Sequence, residues 1–122
     1  ITAEPLMPSP LAAILIGAVG GIIVVYGTKF LLSMKIDDVV GAIPAHLFAG
    51  IWGTLAVPIT NPDTNFGAQL LGVISINAFV FIVSLIVWAI MKNTIGIRLS
   101  KEGELKGTDV TETGVIAYAI RD

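Results

Sequence analysis

The sequence predicts an all-α membrane protein with three transmembrane helices, and three observations predict it. Hydrophobic residues make up 55% of the 122 positions and charged residues only 13%, against roughly a quarter charged in typical soluble domains. Three stretches of 24, 24 and 28 residues, from Pro5 to Thr28, Val39 to Pro62 and Thr64 to Met91, contain no Asp, Glu, Lys or Arg. Each exceeds the ~20 apolar residues that a helix needs to cross a hydrocarbon core of ~30 Å. Three helices that are apolar all round, in so short a chain, also leave no polar surface to enclose them in water.

The first ten residues, with Pro5, Pro8 and Pro10, read as an extended lead-in. They offer no initiator Met, basic n-region or small-residue cleavage site, so the expectation is a piece of a longer membrane protein rather than a signal peptide. Helix one is placed near 10–32, with Gly17 and Gly21 as a packing motif, and Lys29 is expected to snorkel. Ser33 to Asp38 reads as a helix stop and restart, with Asp37 or Asp38 as the N-cap of helix two near 39–59. Asn61-Pro62-Asp63 is a turn signal. Helix three follows near 66–91, its Ser75, Asn77 and Ser84 read as interhelical hydrogen-bonding groups and its Trp88 as an interfacial anchor. Residues 1–92 thus hold the spans.

Residues 93–122 form a solvated tail that carries more than half of the charges. Gly96, Gly103, Gly107 and Gly114 divide it into pieces too short for a long helix. With no core of its own it is expected to gain order only by docking, Arg98 or Lys101 meeting the anions of Asp37-Asp38.

Charge and composition exclude several functions. A formal charge of −2 and a pI near 5.2 argue against a nucleic-acid partner. Without Cys there is no disulfide or thiolate chemistry, and a lone His excludes a two-histidine metal site, so no cofactor or metal is expected. All seven Lys and Arg fall on one side of the predicted spans: Lys29 and Lys35 at the first connection, and Lys92, Arg98, Lys101, Lys106 and Arg121 after helix three. The positive-inside rule then predicts a multi-pass cell-membrane protein in a lipid bilayer, with the N-terminus and the 60–65 loop outside and the tail cytoplasmic.

Helix two holds the chemistry. His46 lies in a span with no other ionisable group, and an imidazole inside a membrane is costly enough to be a functional candidate. Ala42, Gly50 and Thr54, at −4, +4 and +8, place it on a face of small residues, while Ile43, Leu47, Ile51 and Leu55 form a bulky face. Ala45, Ala49 and Gly53 make a second small-residue ladder suited to helix packing. Two readings stand. In one, His46 lines a pore and relays a proton or binds a small polar solute. In the other it is structural, bonded to a carbonyl freed by Pro44, here that of Val40, and the chain is a small accessory or assembly subunit. No nucleophile, metal set or phosphate loop supports an enzyme.

The run IDDVVGAIPAHLFAGIWGTLAV over 36–57 resembles the ammonium transporter (Amt/Mep/Rh) family around the second of its two pore histidines. The run IGIRLSKEGELKGTD over 95–109, followed by Gly114 and Ala117-Tyr118, resembles that family's cytoplasmic tail. Gly41 stands where some members have Asp, and Thr113 and Val115 where the tail often has His and Glu. The resemblance implies the last three helices and tail, the C-terminal portion, of an eleven-helix transporter bundle. It implies transport of ammonium or ammonia through a pore in each subunit of a homotrimer, with His46 at the pore beside Ala42, Gly50 and Thr54. It also implies a regulatory tail, involving Gly96, Arg98, Glu102, Gly107 and Asp109, that meets a PII-type signalling protein.

Overall fold

The computed structural model describes Glu4 and residues 6–117; Pro5 of the lead-in, and Tyr118 and Arg121 of the tail, lie outside the described residues. The described chain is helical, with three helices long and apolar enough to span a membrane, and it is an all-α membrane protein. In order come α1 (Pro10–Ser33), a π-helical segment (Ile43–Phe48) continuing into α2 (Ala49–Thr60), α3 (Phe66–Thr94), α4 (Lys101–Lys106) and α5 (Thr108–Thr113). Two compact units result, one ending at Phe79 and one beginning at Val80.

In the first unit, α1 starts where Ser9 Oγ accepts from the Ala12 N–H at 3.3 Å, with Pro10 at the position where a missing N–H costs nothing. It ends at Ser33, and Lys35 reverses the chain at a φ of 58°. The second span begins later than the expected Val39. Gly41 adopts a φ of +68°, a conformation that favours glycine, and the Asp38 carboxylate accepts from the N–H groups of Ala42 and Ile43 at 2.9 and 2.8 Å. Helical geometry therefore starts only at Ala42, and Pro44 sits in the first turn. This corrects the idea that Pro44 frees a helical carbonyl at Val40, because Val40 precedes the helix.

Small residues set how α1 meets the second span. Gly20, Gly27 and Leu31 are the buried residues of α1, at the spacing of one face, and Pro44, Ala49, Gly53, Ala56 and Val57 are buried on the other side. Trp52 Nε1 donates to the Ile16 carbonyl at 3.0 Å, so this Trp ties the two spans together. Gly21 differs from expectation: among the described residues nothing lies within 4 Å of a Cβ placed on it, whereas Gly27 is in close contact. Of the expected ladder, Ala49 and Gly53 are buried and Ala45 is exposed. Large apolar side chains point outward along all three spans, and α3 buries no residue. Such a distribution suits lipid, which leaves no hydrophobic drive between helices and favours small-residue contact and interhelical hydrogen bonds.

The second unit contains the end of α3 with α4 and α5, and it corrects the expectation of a tail without internal order. Ser100 Oγ caps α4 by accepting from Gly103 N–H at 3.1 Å. Gly103 is buried beneath Thr111, whose hydroxyl donates back to the Gly103 carbonyl at 3.2 Å. Within the tail Arg98 pairs with Glu104 at 2.6 Å and Lys106 pairs with Glu102 at 3.2 Å.

Candidate functional site

A cleft of about 310 Å³ opens between the second span and the first half of α3. His46, Leu47, Gly50, Ile51 and Thr54 line one wall, and Gln69, Gly72, Val73, Ile76 and Asn77 the other. Both sets follow from helical periodicity: each repeats at three- and four-residue steps, so one stripe of each helix faces the gap. Among the described residues a Cβ on Gly50 or Gly72 would meet nothing within 4 Å, so the gap has room for more than a methyl group at both positions. The lining is mostly apolar, with four polar side chains set into it.

Two of those four satisfy themselves within their own helices. Thr54 Oγ1 donates to the Gly50 carbonyl at 3.0 Å, and Asn77 Nδ2 donates to the Val73 carbonyl at 2.8 Å. Asn77 is thus bonded inside α3 and not between helices as expected. The His46 imidazole and the Gln69 carboxamide make no hydrogen bond among the described residues, and both reach the cleft. Pro58, inside α2, lacks the N–H that would bond the Thr54 carbonyl, leaving that oxygen without its helical donor. His46 itself stands in the π-helical segment, whose wider i→i+5 bonding is uncommon and frequent at functional sites. An imidazole here offers one donor and one acceptor, the set needed to relay a proton or hold a small N–H solute.

Of the remaining predicted residues, Ala42 lies in the first helical turn with its N–H on Asp38 and does not line this cleft. Asp38 holds the start of the span, and Asp37 is exposed beside it. Among the described residues no group of three His, Cys, Asp or Glu is placed to hold a metal ion. In the tail, Gly96 and Gly107 have φ values of 75° and 99°, and Glu102 pairs with Lys106. The Glu104 carboxyl is held below its ordinary range by its hydrogen bond and then its charge interaction with Arg98, which in turn raises Arg98. Asp109 is also lowered, first by the Ala117 N–H at 2.8 Å and then by that of Val110. Gln69 and the Thr54 carbonyl were missed in the sequence. The signals were present, an eight-residue spacing from Gln69 to Asn77 that puts both on one helix face, and a proline four residues after Thr54.

Residues 1–118 match the family described as the Ammonium Transporter Family. The chain belongs to the ammonium transporter family. It is 37% identical to ammonium transporter Amt2 of Archaeoglobus fulgidus, over 97% of this chain and 30% of that protein. It is 40% identical to the putative ammonium transporter sll1017 of Synechocystis, over 84% of this chain and 24% of the relative. Amt1 of Archaeoglobus fulgidus is 34% identical, over 87% and 30%. The chain therefore spans about a quarter to a third of the length of the curated relatives it matches. No solved structure matches the chain. Membership and the three spanning helices together place this family member in a membrane.

Proposed function

We propose that this chain is the C-terminal portion of an ammonium transporter, its last three helices and tail, and that ammonium or ammonia passes beside His46. One observation carries the reading: the only ionisable side chain of the second span faces a mostly apolar cleft with Gly50 and Thr54 on the same stripe. A passage of this kind disfavours a hydrated ion and favours a small solute that can exchange a proton with an imidazole. The working protein is a homotrimer, with the N-terminus outside and the tail, residues 93–122, in the cytoplasm. Gly96, Arg98, Glu102, Gly107 and Asp109 shape that tail for regulation and for a PII-type protein. Their support is the local fold of α4 and α5 and the one-sided Lys and Arg distribution.

The test is ammonium uptake by the complete transporter in proteoliposomes, comparing the parent with His46→Ala and His46→Gln at equal protein content. Both variants are expected to lose at least about tenfold, the usual minimum of about 10² for a lost proton-transfer group being softened by water. Uptake by His46→Ala at the parental rate would make His46 structural and return the accessory-subunit reading.

A further inference from the structure

We propose that Gly27 of α1 is a positioning residue for His46, acting through the π-helical segment. The proposal rests on the reading of His46 as the group beside which the solute passes. Gly27 is buried, and a Cβ built on it would lie 2.7 Å from Phe48 Cδ2, 3.1 Å from Pro44 Cβ and 3.2 Å from Phe48 Cε2. Pro44 and Phe48 bracket His46 at −2 and +2 in the same segment. Pro44 is fully buried, and its ring has no rotamer with which to retreat. A side chain at position 27 therefore requires the Phe48 ring to shift and crowds the Pro44 ring, which is closed onto the backbone that carries His46.

The segment has little freedom to absorb such a push. Its start is held by the Asp38 carboxylate on the Ala42 and Ile43 N–H groups, and its end runs directly into α2, where Ala49 N–H bonds the Pro44 carbonyl. A π-helical turn holds one residue more than the α-helical ladder, so relaxing it to α geometry turns one side of the helix against the other by about 100°. His46 would then leave the stripe it shares with Gly50 and Thr54. Close approach by Gly27 is what keeps the π register and the imidazole direction together.

In the complete transporter, Gly27→Ala, Phe48→Ala, the double variant and His46→Ala are compared for membrane level, trimer content, maximal ammonium uptake per transporter and half-saturating concentration. Gly27→Ala is expected to keep its half-saturating concentration and lose about tenfold in maximal rate, since a misplacement of about 1 Å can cost up to 10²-fold. Adding Phe48→Ala removes the nearest clashing atoms, so the double variant is expected to recover several-fold over Gly27→Ala. A parental rate for Gly27→Ala, or a double variant slower than Gly27→Ala, overturns the proposal. If Gly27→Ala does not reach the membrane, the double variant decides: recovery of both level and rate supports the proposal, and recovery of level alone overturns it. Loss in His46→Ala with a normal Gly27→Ala rejects only the positioning role, whereas parental uptake by His46→Ala rejects the pore reading beneath it.

Discussion

Replacing Gly107 tests whether the tail is a folded unit, independently of transport. Gly107 joins α4 to α5 at φ 99° and ψ 137°, a backbone region essentially restricted to glycine. Forcing an L-residue there costs on the order of 1–3 kcal/mol. A Cβ would also stand 2.7 Å from Asp109 Oδ1, displacing the carboxylate that accepts from Ala117 N–H. Two six-residue helices are too short to be stable alone, so their order depends on the Gly103–Thr111 contact and on this connection. Strain of that size should raise local opening about 5- to 150-fold. Hydrogen exchange of the complete transporter in nanodiscs reads it directly: Gly107→Ala is expected to accelerate amides from Gly103 to Gly114 within that range while amides of α1 keep parental rates. Gly107→Asp sets a second carboxylate beside Asp109, and is expected to lower ammonium uptake with membrane level and trimer content intact, as is truncation after Ile97. Exchange within twofold of the parent across 103–114 would refute the folded tail, and parental uptake by Gly107→Asp would make the tail a passive extension.

Single cysteines at Thr64 and Thr108 are expected to label oppositely with an impermeant thiol reagent, position 64 from outside only; labelling of position 108 from outside refutes the orientation. Trp52→Phe removes the hydrogen bond to the Ile16 carbonyl and is expected to weaken α1–α2 association by about 0.6–2 kcal/mol, read by unfolding in mixed micelles; an unchanged midpoint counts against that bond. Because Asp109 and Glu104 are held below their ordinary values, their support of the tail is present at neutral pH and is lost as pH falls through those lowered values. Opening of the tail, followed at the Ala117 amide, is therefore expected only below pH ~4, and opening on going from pH 5 to 8 contradicts it.

The three spans were legible because lipid imposes a simple rule, that charge must be absent for about 20 residues, and the charge-free stretches obey it. His46 was legible for the same reason, as the exception within such a stretch. Details set by backbone geometry were not. The late start of the second span depends on Gly41 at positive φ together with both oxygens of Asp38, and a dipeptide of two aspartates does not say which one caps. The π-helical segment has no periodicity distinct enough to read in six residues. Gly17 and Gly21 match a packing motif by spacing, yet Gly21 meets nothing within 4 Å among the described residues while Gly27 abuts Pro44 and Phe48, because contact is decided by which face meets the neighbour. In the tail, four glycines suggested disorder, but Gly103 is the small residue that lets α5 approach α4, and Gly107 is the connection between them.

Both units of the chain turn on the same physical device. Where apolar burial contributes little, in lipid for the spans and in a two-helix tail with few large side chains, association relies on backbone approach, and glycine permits it. Gly27 lets α1 touch the segment that carries His46, and Gly103 lets the Thr111 methyl and hydroxyl close on α4. Contacts of this kind transmit displacement instead of absorbing it, because the partners of Gly27 are a proline ring and an aromatic ring rather than the ends of flexible chains. A single methyl added at Gly27 should therefore be felt at His46, two residues from each atom it strikes. The same methyl at Gly21, where nothing lies within 4 Å among the described residues, has no such route to the imidazole.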